Sequence, residues 1–120
     1  MKDYNNVSIV YIDDNEVPTT VAKTQFKKYG IELVTGTSGK ELFEILETKS
    51  FDLIILDDMM PEMSGTEVMQ KLKADGHTKP IVVLTGKGDK EEFLEAGFDD
   101  HIEKSRIVEE IPRILSKYFG

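Results

Sequence analysis

Two uninterrupted apolar runs, Leu53-Ile54-Ile55-Leu56 and Ile81-Val82-Val83-Leu84, constrain this chain more than any other feature of its sequence. Successive side chains of a strand point to opposite faces, so a strand with one face in water alternates apolar and polar residues. A run with no polar member needs cover on both faces, as in parallel sheets flanked by helices. Ser8 to Ile12 and Ile31 to Val34 read as further strands, and Asp99 to Glu103 as a weaker one.

Helical patterns fall between these segments. Pro18 suits the first turn of a helix. Val21, Ala22, Gln25, Phe26 and Tyr29 then lie on one stripe, and Gly30 supplies the stop. Ser38 can cap a helix that turns Leu42, Ile45 and Leu46 inward. Ser64 can cap a third, with Glu67 in its first turn and Val68 and Leu72 inward. A short helix is expected from about Lys90 to Ala96, ended by Gly97. The last helix carries Ile107, Ile111, Ile114, Leu115 and Tyr118 at helical spacing, with Pro112 predicting a kink or a later start. Strict strand–helix alternation predicts an α/β fold: a single doubly wound five-stranded parallel sheet in the order 2-1-3-4-5. The 120 residues suit one domain, 1–120.

Composition removes several classes of function. There is no cysteine, hence no disulfide framework and no thiolate metal site. The net charge of −8 argues against direct nucleic-acid binding, which needs a basic face. No apolar run approaches the roughly 18 residues of a membrane span. The first six residues lack the apolar stretch of a signal peptide, so a cytoplasmic setting is expected.

In open α/β sheets ligands bind beyond the carboxyl ends of the strands, where strand order reverses. The expected ends carry Asp13-Asp14, Asp57-Asp58, Thr85-Gly86 and, near the fifth strand, Lys104. Each has an ordinary explanation when taken singly. Asp13-Asp14-Asn15 can be a turn and cap, Asp57-Asp58 turn acids before Pro61, and Lys104 a solvated surface lysine. The agreement of four strand ends favours a shared site. An all-oxygen acid cluster suits Mg²⁺ or Ca²⁺. With a hydroxyl and an ammonium beside it, such a cluster has the parts of a phosphoryl-transfer site.

These residues resemble the receiver domain of two-component response regulators. The carriers are Ile12-Asp13-Asp14-Asn15, the stretch from Asp52 through Asp57-Asp58-Met59-Met60-Pro61 to Gly65, Val83-Leu84-Thr85, and Ala96-Gly97-Phe98-Asp99-Asp100 leading to Lys104. The last segment is similar to receivers fused to hybrid histidine kinases. The resemblance implies a flavodoxin-like receiver fold with Asp57 as phosphoacceptor. It implies that Asp14 is a direct Mg²⁺ ligand, Asp13 its partner through water, and the Met59 carbonyl a further ligand. Thr85 would be the switch hydroxyl and Lys104 the partner of a phosphoryl oxygen. A histidine kinase or histidine phosphotransfer protein would be the partner, and a homodimer is left open. The protein would assist its own phosphorylation and dephosphorylation without being an enzyme for another substrate.

Three departures from the family pattern bear on the output side. Lys104 precedes Ser105, where the family has proline in a cis bond. A cis bond before a non-proline residue costs about 2.5–4 kcal/mol, so a trans bond or a shifted loop is expected. The step from Thr85 to Lys104 is short by about three residues, close to one helical turn, which predicts a shortened fourth helix. His101 stands where a switching tyrosine or phenylalanine is common, although a half-buried edge-strand role also explains it. Gly86-Lys87-Gly88 reads as a turn. The alternative functional reading is a pseudo-receiver, a docking module that keeps the fold without phosphorylation.

Overall fold

Each apolar run becomes a strand with every residue buried. A computed structural model describes residues 4–86 and 88–120; residues 1–3 and Lys87, the centre of the expected glycine-flanked turn, lie outside the described residues. The strands are β1 (Ile9–Ile12), β2 (Val34–Gly36), β3 (Leu53–Asp57), β4 (Ile81–Thr85) and β5 (Asp100–Glu103). They form one five-stranded sheet in the order β2-β1-β3-β4-β5, with every pairing parallel. The helices are α1 (Glu16–Lys27), α2 (Gly39–Leu46), α3 (Gly65–Ala74), α4 (Lys90–Ala96) and α5 (Ile107–Phe119), with a 3₁₀ turn at Lys104–Arg106 before the last. The expected fold and the shortened fourth helix are both present.

Side-chain alternation along β1 explains the two-sided core. Ile9 and Tyr11 join Ala22, Phe26, Ile111 and Leu115 beneath α1 and α5. Val10 and Ile12 join Leu42, Val68 and Met69 beneath α2 and α3. Full burial of such an aliphatic side chain contributes about 1.5–3 kcal/mol, which is why the apolar runs dictate the layer order. Local caps agree with the packing. Asn15 accepts from the Val17 N–H at 3.0 Å, Ser38 accepts from the Glu41 N–H at 3.1 Å, and Ser64 and Glu67 form a capping box.

Three local expectations are corrected. The second strand begins at Val34, not Ile31. Gly30 takes φ 81° and the Ile31 N–H bonds back to the Phe26 carbonyl at 3.2 Å, so the chain is still tied to the end of α1 and meets β1 only at Val34. Ile31 and Leu33 are buried as expected, but outside the ladder. In α1 the buried face is Thr19, Ala22 and Phe26, while Val21 is exposed. Helix α5 starts at Ile107, ahead of Pro112, and runs through it. Pro112 and Val108 are both exposed, so the Val108 carbonyl that loses its helical partner faces water. Among the described residues no helix is long and apolar enough to cross a membrane.

Candidate functional site

The sheet registers bring the strand ends level. Ile12 pairs with Leu56, Asp57 with Leu84, and Thr85 with Glu103. Asp13 and Asp14 directly follow β1, Asp57 and Thr85 close β3 and β4, and Lys104 opens the turn after β5. The order reversal between β1 and β3 therefore sits under the acids, as the rule for open α/β sheets requires. One carboxylate oxygen from each of Asp13, Asp14 and Asp57 lies within 4.8 Å of the others.

Burial divides the three acids. Asp13 and Asp57 are buried, whereas Asp14 is exposed. The Lys104 ammonium lies 2.9 Å from Asp57 Oδ1 and 3.4 Å from Asp13 Oδ2, bridging the two buried carboxylates. The second oxygen of Asp57, Oδ2, is buried with no hydrogen-bond partner among the described residues. A buried carboxylate oxygen left without a donor is costly, and a hard cation among oxygen ligands is the chemistry that would satisfy it.

Electrostatics follow from this crowding. Burial pushes the Asp57 carboxyl up to about 6; the hydrogen bond from Lys104 opposes that rise and the charge of Asp13 adds to it. Burial alone would lower the Lys104 ammonium, but its bonds to Asp57 and the charges of both acids hold it above the ordinary range. Asp58 is half-buried rather than solvated as a lone neighbour would be; burial raises its carboxyl and Lys104 opposes the rise.

The departure at Ser105 does not disable the lysine. No cis peptide bond occurs among the described residues, and Lys104 reaches both acids from the 3₁₀ turn. Thr85 is buried at the end of β4, and Met59 follows β3 with its side chain exposed. His101 is half-buried, its ring stacked on Phe93 with centroids 5.7 Å apart.

Three structural roles escaped sequence reasoning, two at the site and one at the start of β5. Tyr11 is fully buried and donates its hydroxyl to Asp13 Oδ2 at 2.5 Å. Burial, then that bond, holds the phenol above its usual range. Gly65 supports the backbone under Asp57: a Cβ there would stand 2.4 Å from the Asp57 carbonyl oxygen. Asp100 is buried beneath Arg113 at 2.9 Å and Lys117 at 2.7 Å. The sequence signals were a tyrosine in an otherwise aliphatic strand, a glycine directly after a cap, and an acid in a strand.

Comparison with known proteins adds the family. The model of the response regulator receiver domain matches residues 9–116. The alkaline phosphatase synthesis transcriptional regulatory protein PhoP of Bacillus subtilis is 35% identical over 102 residues, covering 82% of this chain; the chain spans 42% of that protein's length. The receiver domain of the Francisella response regulator 1452 superposes with a TM-score of 0.86 at 28% identity, covering 94% of this chain and 97% of that one. The receiver domain of the sensor histidine kinase PA1611 of Pseudomonas aeruginosa, whose structure has a magnesium ion coordinated in its active-site cleft, gives 0.81 at 27% identity, covering 93% and 96%. The sheet order, the acid rim and a family match across nearly the whole chain agree, and the chain belongs to the response regulator receiver domains of two-component signalling.

Proposed function

We propose that Asp57 accepts a phosphoryl group from a phosphohistidine of a histidine kinase or histidine phosphotransfer protein, and that residues 1–120 act as one receiver unit in a cytoplasmic relay. The observation that carries this reading is the Lys104 ammonium bridging Asp57 and Asp13 while Asp57 Oδ2 stays buried without a partner among the described residues. The Asp57 carboxylate is the nucleophile, through whichever oxygen the divalent ion leaves free. It forms the new O–P bond as the P–N bond of the phosphohistidine breaks, and the leaving imidazole takes a proton from solvent. With a carboxyl at about 6 and the Lys104 ammonium favouring the charged form, Asp57 is mainly ionised at neutral pH, so no general base is needed.

The donor set fits a hard divalent ion. Asp14, Asp57 and the Met59 carbonyl would hold Mg²⁺ directly and Asp13 through water, and the bound ion would supply positive charge for the oxygens of the transferred group. Lys104 releases its contacts to the acids and pairs with a phosphoryl oxygen. Thr85 turns its hydroxyl toward the new group, and this biases a pre-existing equilibrium between inactive and active shapes. Water later hydrolyses the acyl phosphate, so the domain assists both its own loading and its unloading. The pseudo-receiver reading rests on Ser105 and the short fourth helix; the reach of Lys104 to Asp57 speaks against the first, while α4 is short as that reading expects.

The test is intact mass after incubation with Mg²⁺ and acetyl phosphate. A single phosphoryl adduct is expected on the wild type and none on Asp57→Asn. An unlabelled wild type, or a labelled Asp57→Asn, contradicts the assignment.

A further inference from the structure

Tyr11 is the residue in β1 that a binary apolar pattern cannot explain. The other members of the strand, Ile9, Val10 and Ile12, are aliphatic and serve the two cores. The Tyr11 ring packs with α1 and α5, and its hydroxyl reaches the rim two residues further on. Alternation places positions 11 and 13 on one face of the strand, which makes this contact direct. A buried phenol needs an acceptor. This one uses a carboxylate of the acid cluster rather than a backbone carbonyl.

The consequence lies at Asp13. Its Oδ2 receives the Tyr11 hydroxyl at 2.5 Å, and its Oδ1 receives the Asn15 N–H at 3.0 Å. Both oxygens are therefore held, and the carboxylate plane is fixed at the edge of the three-acid cluster. Lys104 shares Oδ2 at the longer distance of 3.4 Å while keeping 2.9 Å to Asp57. Without the phenol, Oδ2 loses its shorter donor and Lys104 becomes the remaining donor that can replace it. Partners that hydrogen-bond to metal-site carboxylates orient them in this way, and their loss typically weakens metal binding or activity by about 10–100-fold.

We infer that Tyr11 is a positioning residue of the receiver site: its hydroxyl fixes the Asp13 carboxylate, and through it the affinity for the divalent ion. The inference rests on the reading of Asp13, Asp14 and Asp57 as the Mg²⁺ site. Phenylalanine keeps the ring in the core and removes only the oxygen, so Tyr11→Phe isolates the bond.

The experiment is calorimetric titration of Mg²⁺ into the wild type, Tyr11→Phe, Asp13→Asn and the double variant, with labelling by acetyl phosphate across a Mg²⁺ series. Tyr11→Phe is expected to raise the Mg²⁺ Kd about tenfold. Its labelling rate returns to the wild-type value at saturating Mg²⁺, because the nucleophile and Lys104 are intact. In the Asp13→Asn background the same change adds no further loss, since the residue acts through Asp13. A Kd within twofold of wild type, or an equal loss in both backgrounds, overturns the inference. So does a Tyr11→Phe chain that no longer melts cooperatively, because the hydroxyl would then serve the core. A wild type that binds no Mg²⁺ overturns the site reading itself, a result distinct from all of these.

Discussion

Helices α3 and α4 flank β4 in sequence, yet they are attached very differently. α3 buries Gly65, Val68, Met69 and Leu72, opens with a capping box, and sends the Gly65 N–H to the Asp58 carbonyl at 3.0 Å. α4 has no buried residue; its cap is the Asp89 side chain accepting from the Glu91 N–H at 2.9 Å. Its Phe93 is half-buried against Phe98 and His101, and Lys73 of α3 donates to the Gly97 carbonyl at its end. α3 therefore fixes the backbone of Asp57, while α4 hangs directly downstream of Thr85. Opening free energy is lowest where few apolar contacts are buried. The rigid side carries the backbone of Asp57, and the loosely held side can move at small cost.

Substitutions break or sharpen this contrast in a graded series. Leu72→Ala, at a buried α3 position, is expected to cost about 3 kcal/mol in chemical denaturation. Gly65→Ala drives a methyl into the Asp57 carbonyl and is expected to cost about 2 kcal/mol, while also weakening Mg²⁺ binding because Asp57 is displaced. Asp100 anchors β5 to α5 and tests the region next to α4. Burial alone would raise its carboxyl, but the bonds from Arg113 and Lys117 hold it down at about 2. A carboxyl whose folded value is depressed stabilises the fold above its unfolded value and loses that contribution as pH falls. Thermal scans should show about 2 kcal/mol lost between pH 4 and pH 2, and Asp100→Asn should remove that dependence. Leu94→Ala, on exposed α4, should cost less than about 1 kcal/mol. Equal losses for Leu72→Ala and Leu94→Ala would erase the contrast.

Acid titration of the site has the opposite sign. The Asp57 carboxyl is raised to about 6 in the folded chain, so the metal-free protein should lose stability as pH rises from about 4 to about 6. Added Mg²⁺ should flatten that slope if it satisfies the carboxylate.

Legibility in the sequence followed the strength of the burial signal. β3 and β4 were readable because runs without a polar residue have few other uses. β2 was misplaced because Ile31 and Leu33 are as apolar as a strand requires but pack without ladder bonds. The strand-end acids were readable because topology alone gathers them. The trans bond before Ser105 follows from the cost of a cis bond, whereas the 3₁₀ turn that carries Lys104 to both acids has no local signal in the sequence. The roles of Tyr11 and Asp100 were hidden for a common reason. A lone tyrosine reads as core and a lone acid as surface, and only packing reveals that one bonds Asp13 and the other Arg113 and Lys117.

Amide hydrogen exchange with and without Mg²⁺ and beryllofluoride, a mimic of the phosphoryl group, tests the central claim most directly. Loading of Asp57 is predicted to change protection at β4's end, α4 and β5 while leaving α3 unchanged. Protection that changes in α3 as much as in α4, or that does not change anywhere, would contradict a site built rigidly on one side and read out on the other.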